Sequence, residues 1–153
     1  MSVDMVTETV IDRPTADVAA FAADPDNAPK WYANIKSIRW ESEPPLGLGT
    51  RVAFAAEFLG RRLAYTYQVV EFVPGERLVM RTDQGPFPME TTYTWESIDE
   101  GSTRMTLRNR GTPAGFSRLA APLMASSMRK ANRKDLARLK ELLESPLVSK
   151  PSR

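Results

Sequence analysis

The stretch from Phe116 to Glu144, FSRLAAPLMASSMRKANRKDLARLKELLE, constrains the possible folds of this chain more than any other. Apolar residues recur at Phe116, Leu119, Ala120, Leu123, Met124, Met128, Ala131, Leu136, Leu139, Leu142 and Leu143, which is helical spacing. Apart from a short patch near the N-terminus, everything upstream alternates in polarity, as strands with one buried face do. A helix with one apolar stripe and a sheet with one apolar face each need a partner. The expectation is one long C-terminal helix laid across one antiparallel sheet. Pro122 removes a helical hydrogen bond, so it should kink the axis or mark the start of the main helix.

The upstream segments fall in a clear order. Residues 2–12 are rich in Val and Thr and suit a first strand. Pro14 breaks it, and Thr15 is expected to cap a helix over 16–23 that has Asp17 in its first turn and buries Val18, Phe21 and Ala22. Asp24-Pro25 stops that helix, and residues 25–32 make a second short helical turn ending at Trp31 and Tyr32. Strands are expected at 35–43, 50–58, 61–73, 77–83, 89–98 and 102–110. Between them lie PPLGLG (44–49), Leu59-Gly60, Pro74-Gly75, GPFP (85–88) and Asp99-Glu100-Gly101. Residues 1–145 are read as a single domain and 146–153 as a flexible tail.

Composition narrows the chemistry. A chain of 153 residues, 42% of them apolar, can build one compact domain and not two full ones. With no cysteine there is no thiolate nucleophile and no sulfur-held metal. With no histidine there is no Ser-His-Asp machinery and none of the usual ligands for zinc, copper or iron. No metal and no cofactor are expected. The N-terminus lacks a basic region followed by an apolar run, and no stretch is long enough for a membrane span, so a cytoplasmic location is expected.

Charge is lopsided. Residues 1–103 hold 9 basic and 16 acidic side chains, whereas residues 104–153 hold 12 basic and 3 acidic. On a helical wheel Arg129, Lys130, Arg133, Lys134, Arg138 and Lys140 oppose the apolar stripe. They form either a solvated helix back attracted to an acidic sheet, or a basic strip in which Arg129, Arg133 and Lys140 meet an anionic membrane or an acidic protein. Nucleic acid is not expected, because no aromatics interleave with those charges.

One strand, two short helices, six strands and a long C-terminal helix is the order of the helix-grip fold. The segments DRPTADVAAFAADPDNAPKWYANI (12–35), PPLGLGTRV (44–52), VVEFVPGERLVMR (69–81), TYTWESIDEGSTRMTL (92–107) and DLARLKELLE (135–144) resemble the SRPBCC superfamily over nearly the whole chain. That superfamily includes START lipid-transfer domains, birch-pollen-allergen-like proteins and polyketide cyclases. Within it the likeness is to the bacterial polyketide cyclase/dehydrase-like group. The resemblance implies an α+β fold in which a curved antiparallel sheet of about seven strands wraps a long C-terminal helix, with two short helices between strands 1 and 2. It also implies a largely apolar cavity for lipids, sterols, polyketides or hormones. Some members are cyclases or dehydratases and many only bind. The ring-hydroxylating branch holds iron with two histidines and a carboxylate, and a chain without histidine is not of that type.

On this fold the inward faces carry Phe54, Phe58, Leu63, Tyr65, Tyr67, Met80, Met89, Tyr93, Trp95, Met105 and Leu107, with Met124, Met128 and Ala131 facing them from the helix. Plain core packing fits the spacing of any one of them. Seven methionines suit an adaptable apolar site. Tyr65, Tyr67 and Tyr93 present hydroxyls to a ligand carbonyl, or else to backbone or water. Asn109 bonds a ligand or satisfies a loop. Asp135 stands in the apolar arc of the helix near Met124 and Met128. It either pairs with a sheet arginine such as Arg81 or serves as a ligand anchor or general acid/base.

These residues support binding of a hydrophobic small molecule, for transport or sensing. One alternative is a metal-free polyketide cyclase or dehydratase that uses Asp135, Tyr65 and Tyr93. Another is a co-chaperone-like interaction module that uses the basic helix face.

Overall fold

The computed structural model describes residues 3–58, 60–84, 88–111 and 121–145. The chain runs β1 (Val3–Ile11), α1 (Thr15–Ala23), a 3-10 turn (Pro25–Asn27), α2 (Ala28–Trp31), β2 (Ile35–Trp40), β3 (Arg51–Phe58), β4 (Arg61–Val73), β5 (Arg77–Gln84), β6 (Met89–Asp99), β7 (Ser102–Gly111) and α3 (Ala121–Glu144). All seven strands form one antiparallel sheet in the order β1-β7-β6-β5-β4-β3-β2. The two short helices occupy the crossover between its edge strands, β1 and β2. This is the helix-grip arrangement that the element order predicts. Residues 112–120 and 146–153, including the early part of the expected helix and the tail, lie outside the described residues.

Alternation decides which face of the sheet is covered. In β1, Met5, Thr7 and Ile11 are buried, whereas Val6 and Val10 face out. Val52 pairs with Tyr67, Phe54 with Tyr65 and Ala56 with Leu63, so β3 and β4 bring matching residues to the inner face. Irregularities in the β4–β5 pairing at Thr66/Tyr67 and Val69/Glu71 strengthen local twist and help the sheet curve. Against that concave face α3 turns Met128, Asn132, Asp135, Leu136, Leu139 and Leu143. These follow the three- and four-residue steps of one helical stripe.

Local details depart from the sequence reading. Pro14, not Thr15, occupies the cap position of α1 and makes no side-chain capping bond. The Thr15 hydroxyl lies 3.0 Å from that of Thr103, which donates to the Arg13 carbonyl at 2.8 Å. Tertiary structure has claimed the capping group. In α1 the buried residues are Val18, Ala19 and Ala22, and Phe21 is only partly covered. β2 ends at Trp40, three residues short of the expected strand.

The C-terminal end of α3 is fastened. Arg13 Nη1 donates to the Leu143 carbonyl at 2.8 Å, and the Asp12 amide donates to Glu144 Oε2 at 2.8 Å. Lys140 Nζ donates to the Val10 carbonyl at 2.7 Å and pairs with Glu144 at 2.6 Å, while Arg138 Nε donates to the Lys30 carbonyl at 2.8 Å. Lys140 and Arg138 therefore belong to the docking of the helix, a correction to the reading that set Lys140 on a free basic strip. Arg129 and Arg133 remain exposed. Beneath the fastened end the core is closed: Ile11, Val18, Trp31, Leu78, Met105, Leu107, Leu136, Leu139 and Leu143 are fully buried.

Candidate functional site

Toward the Met128 end of α3, helix and sheet enclose a partly open cavity of about 130 Å³. A single water needs about 10–15 Å³ of such space, and an apolar cavity of about 150 Å³ takes up benzene. The enclosed volume therefore matches one ring or a short chain segment. Strands β3 and β4 supply Phe54, Ala56, Leu63, Tyr65 and Tyr67, and β5 supplies Met80 and Thr82. Met89, Thr91 and Tyr93 of β6 and Asn109 of β7 complete the sheet wall. Met128, Ala131, Asn132 and Asp135 close it from the helix, and Tyr32, Asn34 and Ile35 from the end of α2 and the start of β2.

Phe54, Tyr65, Tyr67, Met80, Met89, Tyr93, Asn109, Met128 and Asp135 thus meet around one space, as their positions in the sequence suggested. Trp95 and Met105 do not line it. Met105 is sealed in the closed core, and Trp95 packs edge-on against Tyr93 and borders an open groove between α1 and the Pro44–Leu46 loop. Alternation places both on the inner face, but they lie too near the fastened end of α3, where helix and sheet meet without a gap. Leu107 is buried in that core for the same reason. The side chains of Phe58 and Met124 lie outside the described residues. Tyr32, Asn34, Thr91 and Asn132 line the cavity without having been singled out as candidates.

Most polar groups here already have partners. The Tyr67 and Thr91 hydroxyls are 2.6 Å apart, and Thr91 donates to Asn109 Oδ1 at 2.6 Å, so Tyr67 donates into the chain. The Tyr32 and Tyr93 hydroxyls are also 2.6 Å apart. The aromatic rings brace one another, Phe54 stacked on Tyr65 at 5.4 Å and Tyr65 edge-on to Tyr67 at 5.2 Å. The Tyr67 hydroxyl and Asn109 Oδ1 are thereby engaged within the cavity wall.

Three groups are unspent. The Tyr65 hydroxyl has no hydrogen-bond partner among the described residues. Asn132, 5% exposed, has a buried Nδ2 with no partner among them. Asp135, 2% exposed, accepts the Ala33 amide on Oδ1 at 3.0 Å and has no ion pair among the described residues. The expected neutralisation by Arg81 does not occur. Arg81 stands directly across the β5–β6 ladder from Glu90 and binds its carboxylate at 2.7 Å on the outer face. Arg110 binds the same carboxylate, and the two guanidinium groups hold Glu90 below its usual range.

Burial sets the protonation of the site. It pushes Asp135 up to about 6, partly opposed by the Ala33 amide. Burial likewise raises Tyr67 to about 12 and holds Tyr32, Tyr65 and Tyr93 well above the usual tyrosine range, with the charge of Asp135 adding to the effect on these three. The tyrosines are neutral donors at physiological pH, and Asp135 is the cavity group that titrates near it. No cluster of acidic residues suited to a metal ion occurs among the described residues, and no helix there is long and apolar enough to cross a membrane.

Residues 2–144 match the family described as polyketide cyclase / dehydrase and lipid transport, and the chain belongs to it. This places it in the SRPBCC superfamily. Among solved structures, the fold is similar to that of an aromatase/cyclase from a Streptomyces species, with a TM-score of 0.79, 12% identity and coverage of 96% of this chain and 98% of that one. A protein from Thermus thermophilus aligns with a TM-score of 0.78 and 21% identity over 90% of this chain and 94% of its own. A START superfamily protein from Mycobacterium smegmatis aligns with a TM-score of 0.76 and 14% identity over 91% and 98%. At these identities the likeness concerns the fold. No protein of curated function matches the sequence significantly.

Proposed function

We propose that this protein binds a hydrophobic small molecule, a lipid or a polyketide-like compound, in the cavity between sheet and α3, for transport or sensing. The observation that carries this reading is space left open among apolar and aromatic side chains that are themselves locked in place, the usual character of a small-molecule site. The family to which the chain belongs supports the same class of ligand. Native mass spectrometry of the purified protein, followed by solvent extraction, should reveal a bound apolar compound, or else uptake of a fluorescent lipid analogue. Ala131→Trp, which places an indole in the cavity, should abolish that uptake while the protein stays folded. Undiminished uptake in the filled variant would place the ligand elsewhere and sink the proposal.

Asp135 favours a second reading, a cyclase or dehydratase. A carboxylate with no ion pair among the described residues, titrating near 6, is poised to take and return a proton close to neutral pH. Asn132 Nδ2 and the Tyr65 hydroxyl are the donors available to an enolate oxygen formed beside it. In an aldol closure Asp135 would take the α-proton of a ketone, the new carbon–carbon bond would form at a second carbonyl, and the proton would pass to the resulting alkoxide. Asp135→Asn should then abolish turnover while the substrate still binds. Turnover indifferent to this change would remove Asp135 as the base.

A further inference from the structure

We infer that the cavity selects its ligand by a neutral polar head that carries a hydrogen-bond acceptor and a donor side by side, as in a carboxamide or a hydroxy-ketone, and rejects carboxylates. The inference rests on the proposal that the cavity binds an apolar molecule, and adds which end of that molecule is read. Asn132 and Asp135 are three residues apart on one helical stripe, so their side chains are neighbours on the cavity roof. Asn132 offers a buried amide N–H without a partner among the described residues, and Asp135 offers the carboxylate oxygen that Ala33 does not use. A donor beside an acceptor complements an acceptor beside a donor.

Charge makes the choice sharper. Asp135 is the only charged side chain that lines the cavity among the described residues. Lys130 and Lys134 rim a neighbouring hollow between α3 and Ala33-Asn34, which shares Asn34, Ala131 and Asp135 with the cavity, and neither lysine lines the cavity itself. Among the described residues no cation lines the cavity to receive an anionic head, and a carboxylate there would meet Asp135 at low dielectric. A ligand that leaves Asn132 and Asp135 facing nothing forfeits their desolvation, so an unadorned hydrocarbon is a poorer fit.

Three probes sharing one tail test the inference: para-hexylbenzamide, para-hexylbenzoate and hexylbenzene, titrated calorimetrically near neutral pH. The amide should bind at least about tenfold more tightly than either of the others, the gain expected of hydrogen bonds to buried polar and charged groups. Asp135→Asn should recover much of the benzoate affinity, and Asn132→Leu should bring the amide down to the level of hexylbenzene. Retained hexylbenzene binding in each variant shows that its cavity is intact, and a variant that lost it would be replaced by Asp135→Ser or Asn132→Met. Hexylbenzene binding as tightly as the amide, benzoate binding best, or affinity ratios unmoved by both substitutions would overturn the inference and leave the apolar-ligand proposal standing. Failure of all three probes to bind would overturn both.

Discussion

Asp135 is held in a place where its charge is costly. An aspartate whose value moves from 3.8 to about 6 on folding binds its proton more tightly in the native state. Its contribution to stability is therefore complete below the unfolded value and is lost as pH rises through the folded one, a loss of about 3 kcal/mol by neutral pH. Asparagine in its place keeps an Oδ1 for the Ala33 amide and carries no charge. Asp135→Asn should thus stabilise the protein by up to about 3 kcal/mol at neutral pH, with the advantage fading below about pH 4. Urea unfolding of both proteins across that range measures it. A pH-independent difference would mean that Asp135 is neutralised by a group other than its proton. Asp135 was legible in the sequence because a charge inside an apolar arc contradicts its surroundings. Its Arg81 partner was misread because pairing depends on register: Arg81 faces Glu90 across the ladder, which is visible only once the strands are aligned. Asn132 sits four residues after Met128 and three before Asp135, a signal present in the sequence. A search for apolar periodicity passes over it.

At the scale of elements, two contacts decide where the cavity walls stand. Gly111 closes β7 opposite both Val3 and Met89. A Cβ there would lie 2.5 Å from the Pro88 carbonyl oxygen and 2.9 Å from Cγ of Met89, so backbone has to move. Gly111→Ala should cost about 1–3 kcal/mol, the range for overpacking, and also weaken ligand uptake because Met89 lines the cavity. Chemical denaturation and a binding titration together separate this from a purely local effect. Arg13 does the corresponding work for α3, joining its last-turn carbonyl at Leu143 to the start of α1 through Asp17. Arg13→Ala should cost about 1–2 kcal/mol in denaturation, as a hydrogen bond from a charged group to a helix C-terminus is lost. The strands themselves were legible to within a residue or so at most ends, because alternation and Gly/Pro turns state them directly. β2 was overestimated: Glu41 and Ser42 suit an extended chain, but the ladder to β3 ends at the Trp40–Val52 pair. Thr15 likewise has the right chemistry for a cap and is diverted to Thr103, a partner 88 positions away that no local rule can name.

The whole molecule has a sealed end and a hollow end along a single helix, and this division is what the sequence conceals. Periodicity assigns Met105, Leu107, Trp95, Tyr93 and Met89 to the same inner face, but not to the same depth. Whether the gap between helix and sheet is filled depends on their separation at each level, which is a property of sheet curvature and of where α3 is fastened. The difference should appear in stability. Leu139 lies in the closed core with no exposure, so Leu139→Ala removes contacts on all sides and should cost about 2–5 kcal/mol. Met128, on the same stripe of the same helix, faces space on its cavity side and has fewer contacts to lose. Met128→Ala should cost about 1 kcal/mol or less, while enlarging the cavity and loosening its grip on a ligand. Urea unfolding of the two variants, with and without a bound apolar probe, tests this. The probe should raise the stability of the wild-type and Leu139→Ala proteins by similar amounts and that of Met128→Ala by less, because binding to the native state adds RT ln(1 + [L]/Kd), which shrinks as Kd rises. Equal costs for the two truncations would mean that the hollow end packs shut in solution. The cavity would then be no place for a ligand, and the groove bordered by Trp95 would become the space to probe.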